Sequence, residues 1–237
     1  MWNIRIYILL FVITIGGSLN AQLQLGLHGG VNMANTENAK SSSFNLGSDF
    51  GILAGVKVLK ARKISIQGEY NYSKRGPKFV TDTVEYGMSN SYHIGTILGK
   101  YSFNLYKKID GHILVGGYLS YWTYSKVNYE YSGVGVMHSN KIREDDPVTL
   151  VADYTFNWNS INYGISFGGG LSYKVDKFNS FFADLRYEKD ISEFGKYKRN
   201  AVENSKRMSV YAITFKVGYI YTFGSWKLLH EMFAPKR

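Results

Sequence analysis

Apolar residues recur at every second position in eight separate runs of this chain, and that alternation constrains its fold more than any other feature. The clearest run sets Ile64, Ile66, Gly68, Tyr70 and Tyr72 against Ser65, Gln67, Glu69 and Asn71. A period of two is that of a β-strand, in which successive side chains point to opposite faces. The pattern therefore predicts an all-β chain with strands at residues 23–33, 49–58, 64–72, 92–99, 112–121, 161–173, 181–187 and 211–223.

The connections between these runs alternate between short and long. The short ones are residues 60–63, 104–110 and 174–179, and the long ones are 35–47, 73–91, 125–160 and 188–208. Short turns at one end and long loops at the other are typical of outer-membrane barrels, whose short turns face the periplasm. The sequence thus predicts an eight-stranded antiparallel up-and-down transmembrane β-barrel with four long extracellular loops and short periplasmic turns.

The two faces of the strands distinguish this barrel from its main rival, a secreted soluble barrel of the lipocalin type. A soluble barrel places its apolar face inside, whereas the narrow lumen of an eight-stranded membrane barrel suits glycines and short polar side chains. Here the face opposite the apolar one is rich in glycine and carries charges. The apolar face is therefore predicted to contact lipid. For the fourth run, this prediction places Tyr92, Ile94 and Leu98 on the outside of the barrel and His93 in the lumen.

Aromatic residues gather at the ends of the runs, as expected for the two interfacial girdles of a membrane barrel. The predicted girdles are Tyr70, Tyr72, Tyr92, Tyr121, Tyr124, Tyr163, Tyr187 and Tyr211 at the loop side, and Tyr173, Phe181, Tyr221 and Phe223 at the turn side.

The N-terminus is predicted to be a signal peptide, residues 1–21. Arg5 precedes an apolar run at 6–15, and small residues lead to a cleavage site after Ala21. The apolar run is shorter than the roughly 20 residues that a membrane-spanning helix needs. Removal of this segment leaves 27 basic and 18 acidic residues, a net charge of +9.

The chain contains no Cys, which excludes disulfides, thiolate metal sites and thiol catalysis.

Three segments carry a family resemblance: Gly29-Gly30-Val31-Asn32, residues 167–173 and residues 182–187. They resemble the PorT-like outer-membrane β-barrel family of Bacteroidota, and the resemblance covers residues 22–223. It implies an eight-stranded outer-membrane barrel whose individual role is usually unknown; the family name comes from a member needed for protein secretion to the cell surface. Such barrels end at an aromatic residue, here Phe223, but this chain continues through residues 224–237, as either a short interfacial helix or a frayed tail.

Charged residues on the inward face predict a polar network in the lumen. Glu69, Asp184, Arg186 and Lys216 fall at similar depth, and His28 lies mid-barrel. Two acids and two bases in a narrow lumen are expected to pair and to plug the barrel. The alternative is that each charge is solvated separately by lumen water.

Catalytic and metal signals are weak, and no catalytic residue, metal site or cofactor is predicted. His28, His93 and His112 are placed at different depths, which does not favour a shared metal. The third long loop contains His138, Ser139, Glu144, Asp145, Asp146 and Asp153, which leave a loop-side enzyme or a Ca²⁺ site open as alternatives. Gly168, Gly169 and Gly170 are not followed by the Lys-Ser or Lys-Thr of a phosphate-binding loop.

Basic residues gather at both rims of the predicted barrel, where anionic headgroups of outer-membrane lipid and lipopolysaccharide would be met. A second reading is a docking patch in the fourth long loop, formed by Lys196, Lys198, Arg199, Lys206 and Arg207. The charges form no single stripe with stacking aromatics, so nucleic acid is not an expected partner. A monomeric structural or interaction barrel, with envelope proteins as candidate partners, is the favoured hypothesis; a small channel and a loop-side enzyme are the alternatives.

Overall fold

The computed structural model describes residues 22–37, 42–57, 63–80, 84–131, 134–142, 148–151, 154–158, 160–193, 195–199 and 206–225. The predicted signal peptide and residues 226–237 of the predicted tail lie outside the described residues. The described strands are β1 (Gln22–Thr36), β2 (Ser42–Ser43), β3 (Asn45–Lys57), β4 (Ile64–Arg75), β5 (Lys78–Val80), β6 (Val84–Tyr106), β7 (Ile109–Tyr131), β8 (Val134–Ile142), β9 (Val148–Val151), β10 (Tyr154–Trp158), β11 (Ile161–Lys174), β12 (Asn179–Asp190), β13 (Gly195–Arg199), β14 (Lys206–Met208) and β15 (Val210–Ser225). Over these ranges, the chain contains no helix of the length and apolar character needed to cross a membrane.

Eight of these strands close into an antiparallel barrel. Their order around the wall is β6-β4-β3-β1-β15-β12-β11-β7, and β7 pairs back with β6. The first and last strands are neighbours, with Leu27 opposite Tyr219. Closure leaves every barrel strand paired on both sides, as hydrocarbon surroundings require. The predicted fold, an eight-stranded up-and-down barrel, is confirmed.

The inward and outward faces agree with the sequence alternation in seven of the eight runs. Large apolar side chains stand on the outer surface, as shown by Leu27 at 62% exposure and Val115 at 63%. Their sequence neighbours are buried in the lumen, among them His28, Leu114 and Lys216. A barrel that exposes its large apolar residues and buries its charges is suited to lipid outside.

The prediction for the fourth run is wrong, because its two faces are exchanged. Tyr92, Ile94 and Leu98 are buried in the lumen, whereas Ile97 is 69% exposed. His93 lies on the outer side, where its Nδ1 is 2.6 Å from Tyr70 Oη. Three large apolar residues lie on one face of this run and only Ile97 lies on the other, so the alternation alone indicates the wrong outward face. Tyr92 consequently belongs to the interior and not to the predicted loop-side girdle.

Two apolar clusters lie in the lumen, one on the loop side and one on the turn side of the charged residues, and the loop-side cluster accounts for the exchange because it contains Tyr92 and Ile94. The loop-side cluster consists of Ala34, Tyr92, Ile94, Tyr118, Trp122, Val210 and Ala212. The turn-side cluster consists of Leu53, Phe182 and Ile220. Burying a large apolar side chain is favourable by about 1.5 to 3 kcal/mol, inside a barrel as in any core. The interior is therefore not uniformly polar, and its charges lie between two apolar clusters.

The long connections contain more strand structure than the sequence pattern indicates. β6 and β7 each have 23 residues and are joined by a tight turn at Lys107 and Lys108. A transmembrane strand needs about 9 to 11 residues, so both strands extend beyond the bilayer. The connections before β11 and after β12 also come together, in a four-stranded sheet of order β14-β13-β10-β9.

Candidate functional site

The candidate site is the layer of charged side chains in the middle of the lumen. Its predicted members come from four strands: His28 on β1, Glu69 on β4, Asp184 and Arg186 on β12, and Lys216 on β15. Each occupies an inward position of its strand and is at most 5% exposed. The structure brings all five together.

Arg186 is the centre of the layer. Its guanidinium donates to both carboxylate oxygens of Glu69, with Nη1–Oε2 at 2.7 Å and Nη2–Oε1 at 2.8 Å. Its Nη2 also donates to Asp184 Oδ2 at 2.6 Å. The planar fork of Arg matches a carboxylate in this two-point geometry, which fixes the relative position of β4 and β12 across the lumen.

Lys216 forms the second cationic centre. Its Nζ is 3.1 Å from Asp49 Oδ1 and 3.4 Å from Glu69 Oε2. It also donates to Asn71 Oδ1 at 3.4 Å. Glu69 thus contacts both cations, and each cation contacts two carboxylates. Pairing of this kind offsets the cost of burying the charges.

His28 lies against the same carboxylates at longer range. Its Nδ1 is 3.8 Å from Asp49 Oδ1, and its Nε2 is 3.9 Å from Glu69 Oε2. Both distances exceed hydrogen-bonding range. The imidazole edge packs against the ring of Phe182, with centroids 6.5 Å apart. His28 therefore packs at the boundary between the charge layer and the turn-side apolar cluster.

Sequence reasoning missed several members of the layer. Arg75 pairs with Glu188 and reaches Asp49 at 3.6 Å. His112, predicted to lie near the turn side apart from the network, has its Nε2 2.6 Å from Asp184 Oδ1. The alternation of β12 could have identified Glu188, because Glu188 lies at an alternate position on the same strand face as Asp184 and Arg186. Counting residues from the short turns does not give their height along the barrel axis correctly, because the strands are tilted. Residues at different distances from their turns can therefore lie at the same height.

The charges of the layer nearly balance. The buried carboxylates are those of Asp49, Glu69, Asp184, Glu188 and Asp190. Four cations occupy inward positions: Arg75, Lys100, Arg186 and Lys216. Near-neutrality, two-point pairing and flanking apolar clusters make this arrangement suited to closing the lumen and holding the wall together.

The predicted docking patch lies on two neighbouring strands outside the barrel wall. Lys196, Lys198 and Arg199 belong to β13, and Lys206 and Arg207 belong to β14. The register places Lys196 opposite Arg207. These five basic residues therefore share one small sheet, although they are separated in sequence.

The other candidate residues of the third long loop are not assembled into a described site. His138 and Ser139 lie on β8, opposite Tyr129 and Asn128 of β7. Glu144, Asp145, Asp146 and Asp153 lie outside the described residues. Within the ranges that the structure describes, no three His, Asp or Glu side chains gather as metal ligands would.

Comparison with known proteins gives one family match and several structural likenesses. The model of the outer membrane protein beta-barrel domain family matches residues 18–192. Neisserial surface protein A is 14% identical, with 86% of this chain and 97% of that chain covered and a TM-score of 0.43. OprG from Pseudomonas aeruginosa is 9% identical, with 86% and 97% covered and a TM-score of 0.47. No curated protein sequence matches the chain.

Proposed function

Because the chain belongs to the outer membrane protein β-barrel domain family, we propose that it is a closed outer-membrane barrel that acts as a structural or interaction protein through its surface loops. In this proposal the lumen conducts neither ions nor solutes. The barrel anchors the sheet of β9, β10, β13 and β14 in the membrane and holds it in a fixed position. The protein has no catalytic role in this proposal.

The observation that carries the proposal is the Arg186–Glu69 pair in the middle of the lumen. The interior of an eight-stranded barrel is just wide enough for side chains, so a salt bridge that joins opposite walls blocks the space a solute would use. The guanidinium and carboxylate of this pair have no exposed side-chain surface. The apolar clusters on either side would add two further barriers to ions, since an ion in an apolar constriction loses its hydration.

The sheet formed by β9, β10, β13 and β14 supports an interaction role for the loops. An isolated pair of strands has little stability in water, whereas a sheet built from two loops can hold a fixed surface. β13 and β14 place five basic positions in this sheet, which supports affinity for an anionic partner, either lipopolysaccharide or an acidic envelope protein.

Two finer assignments belong to the same proposal. The segments at 29–32, 167–173 and 182–187 support membership of the PorT-like group of Bacteroidota. The charge, apolar run and small residues of the first 21 positions support export by a cleaved signal peptide.

The proposal is tested by comparing three forms of the tagged, full-length protein. One variant replaces Lys196, Lys198, Arg199, Lys206 and Arg207 with Gln; the control variant replaces Lys107 and Lys108, which lie in a short turn. The loop variant is expected to lose a lipopolysaccharide or protein partner that co-purifies with the other two forms from their own outer membrane. All three are expected to leave liposomes impermeable to small sugars, and entry of sugars through the unmutated barrel would contradict the proposal.

A further inference from the structure

The outer wall of the barrel contains an apolar groove that crosses β3, β4 and β6. Its volume is about 700 Å³, which is within the range of sites that hold small molecules. The small residues Ala54, Gly68 and Gly95 line it, beside the exposed side chain of Ile97. Glu69 also borders the groove, but this residue is 5% exposed and belongs to the charged layer of the lumen. The groove therefore opens towards lipid, on the outward face of the strands.

The glycines of the groove leave space that the barrel itself does not need. Gly68 lies opposite Ala54 on the neighbouring strand. A Cβ atom at Gly95 would meet no atom within 4 Å, and one at Gly68 would meet only the backbone oxygen of Ala54 at 3.8 Å. At the inward glycines Gly51 and Gly116, by contrast, a Cβ atom would clash with a backbone oxygen. Close packing thus accounts for these inward glycines, whereas the space in the groove is open to a ligand.

Hydrogen-bonding side chains lie at the loop-side end of the groove. Tyr70 lines the groove, and its Oη is 2.6 Å from His93 Nδ1. His93 precedes Gly95 by two positions on the outward face of β6, a distance of about 6.6 Å along the strand. The imidazole also packs against Tyr72, with ring centroids 5.5 Å apart. Both tyrosines belong to the predicted loop-side girdle, which marks the level of the lipid headgroups.

The second ring nitrogen of His93 can bind a ligand. Within the described part of the chain, Nε2 makes no hydrogen bond. When the Tyr70 hydroxyl donates to Nδ1, the neutral ring carries its proton on Nε2, which is then a donor. An ionised oxygen is the strongest acceptor for such a donor.

Lys74 adds positive charge beyond this end of the groove. It is exposed, and it follows Tyr72 by two positions on the outward face of β4, about 6.6 Å along the strand. A lipid whose head carries uncompensated negative charge is therefore favoured over a zwitterionic one.

We infer that this groove binds one acyl chain of lipid A, the phosphorylated anchor of lipopolysaccharide, with a phosphate oxygen near His93. The apolar groove matches the acyl chain, and the donor and the positive charge at the girdle match the phosphate. From His93 to Ile97 the strand extends about 13 Å, so the bound segment fits within one leaflet of a hydrocarbon core of about 30 Å. The inference rests on the proposed orientation, which places the loop side in the outer leaflet, but it uses a site apart from the basic loop sheet.

The experiment is native mass spectrometry of the purified barrel in dodecyl maltoside, titrated with lipid A. Gly95→Leu fills the groove, and His93→Phe removes the donor but keeps an aromatic ring. The control is Gly29→Leu on the outer wall of β1, where a Cβ atom also meets no atom within 4 Å and which does not line the groove. The unmutated barrel is expected to bind one lipid A saturably.

The two groove variants are expected to bind lipid A at least about tenfold more weakly. For Gly95→Leu, losing the burial of two CH₂ groups already corresponds to about tenfold. For His93→Phe, the loss of a hydrogen bond to a charged group corresponds to about tenfold or more. The control should stay within about twofold, as is usual for a surface substitution. If Gly95→Leu does not fold, as judged by its migration on unheated gels, Gly68→Leu provides the same test.

Two further titrations identify the ligand and the site. Phosphatidylethanolamine, which is zwitterionic, should bind the unmutated barrel about fivefold more weakly than lipid A. The variant with five Gln residues in β13 and β14 should retain the bound lipid A. No saturable binding, an equal loss in Gly95→Leu and Gly29→Leu, or equal affinity for phosphatidylethanolamine would overturn the inference and leave the closed interaction barrel intact. Loss of lipid A from the loop variant alone would also overturn it, because the lipid would then be bound by the loop sheet.

Discussion

Breaking the Arg186–Glu69 pair should destabilise the barrel in a way that depends on both partners together. Each side chain is fully buried, and two hydrogen bonds of 2.7 and 2.8 Å join them. Removing one partner of a buried pair leaves the other charge uncompensated, at a cost of about 3 to 5 kcal/mol. The perturbations are Glu69→Gln and Arg186→Gln, singly and combined.

The remaining contacts place each single variant near the lower end of that range. Glu69→Gln leaves Arg186 with Asp184 at 2.6 Å and Lys216 with Asp49 at 3.1 Å. Arg186→Gln leaves Glu69 with Lys216 at 3.4 Å. We therefore expect about 3 kcal/mol for each single variant. The double variant removes one charge of each sign and should cost about 4 kcal/mol, so the coupling is about 4 − 3 − 3, or −2 kcal/mol.

The assay is equilibrium urea unfolding in lipid vesicles, with free energies compared at a common urea concentration. The matched control is the exposed pair Lys189–Glu37, whose atoms are also 2.7 Å apart but whose side chains are 39% and 38% exposed. This contact holds the pKa of the Glu37 carboxyl below its ordinary value, yet solvent screening should limit its coupling to at most about 1 kcal/mol. Strictly additive losses at Glu69 and Arg186, summing to about 6 kcal/mol, would refute the reasoning.

Three further predictions follow from other parts of the molecule. Ile97→Arg should cost about 2 to 4 kcal/mol in urea unfolding, because Ile97 faces lipid, whereas the control Ile97→Val should cost at most about 1.5 kcal/mol; equal tolerance would contradict the exchanged faces of β6. A cysteine at Lys198 should react with an impermeant thiol reagent on intact cells and one at Lys177 should not, and the reverse pattern would overturn the orientation. Hydrogen bonds from Asn179 and Phe178 lower the pKa of Asp176 below its unfolded value, so the turn is stabilised above the unfolded pKa of about 3.9 and loses this stabilisation as the pH falls through the lower folded pKa. The protection factors of the Phe178 and Asn179 amides, which compare the intrinsic exchange rate at each pH with the observed rate, should therefore decrease in acid in the unmutated protein but not in Asp176→Asn.

The closed barrel was predictable because its strand signals are local. Alternation, short turns and a glycine-rich inward face are all properties of neighbouring residues. In seven runs the face with more large apolar residues is the outward one, although some of these runs also place a large residue inside, such as Leu53 or Phe182. The fourth run had Tyr92, Ile94 and Leu98 on one face and only Ile97 as a large residue on the other. Gly95 and Gly99 also fall on its lipid side, contrary to the expectation that glycines line the lumen. Its orientation depends on packing with Tyr118 and Trp122 of β7, which the run itself does not encode.

The lumen network was predictable only in part, because its contacts join strands that are distant in sequence. Asp184 and Arg186 lie two positions apart on the same face of one strand, so their proximity follows from the alternation alone. The pairing of Arg186 with Glu69 joins residues 117 positions apart and depends on strand tilt and register. The same strand tilt and register bring Arg75, Glu188 and His112 into the charged layer. Their height along the barrel axis does not follow from the sequence of their own strands. The strands in the long loops were also missed. Two of their pairings join different loops, β2 with β5 and β10 with β13, whereas β9–β10 and β13–β14 pair within one loop.

The closed lumen is the central claim, and single-channel recording in planar bilayers tests it most directly. The unmutated barrel is expected to insert without producing stable current steps, because the Arg186–Glu69 pair and the two apolar clusters occupy the path. A variant with alanine at Glu69, Arg186 and Trp122 provides the matched comparison and is expected to show ion current wherever it folds. A stable, reproducible ion current through the unmutated protein would contradict the account and make the channel the better hypothesis.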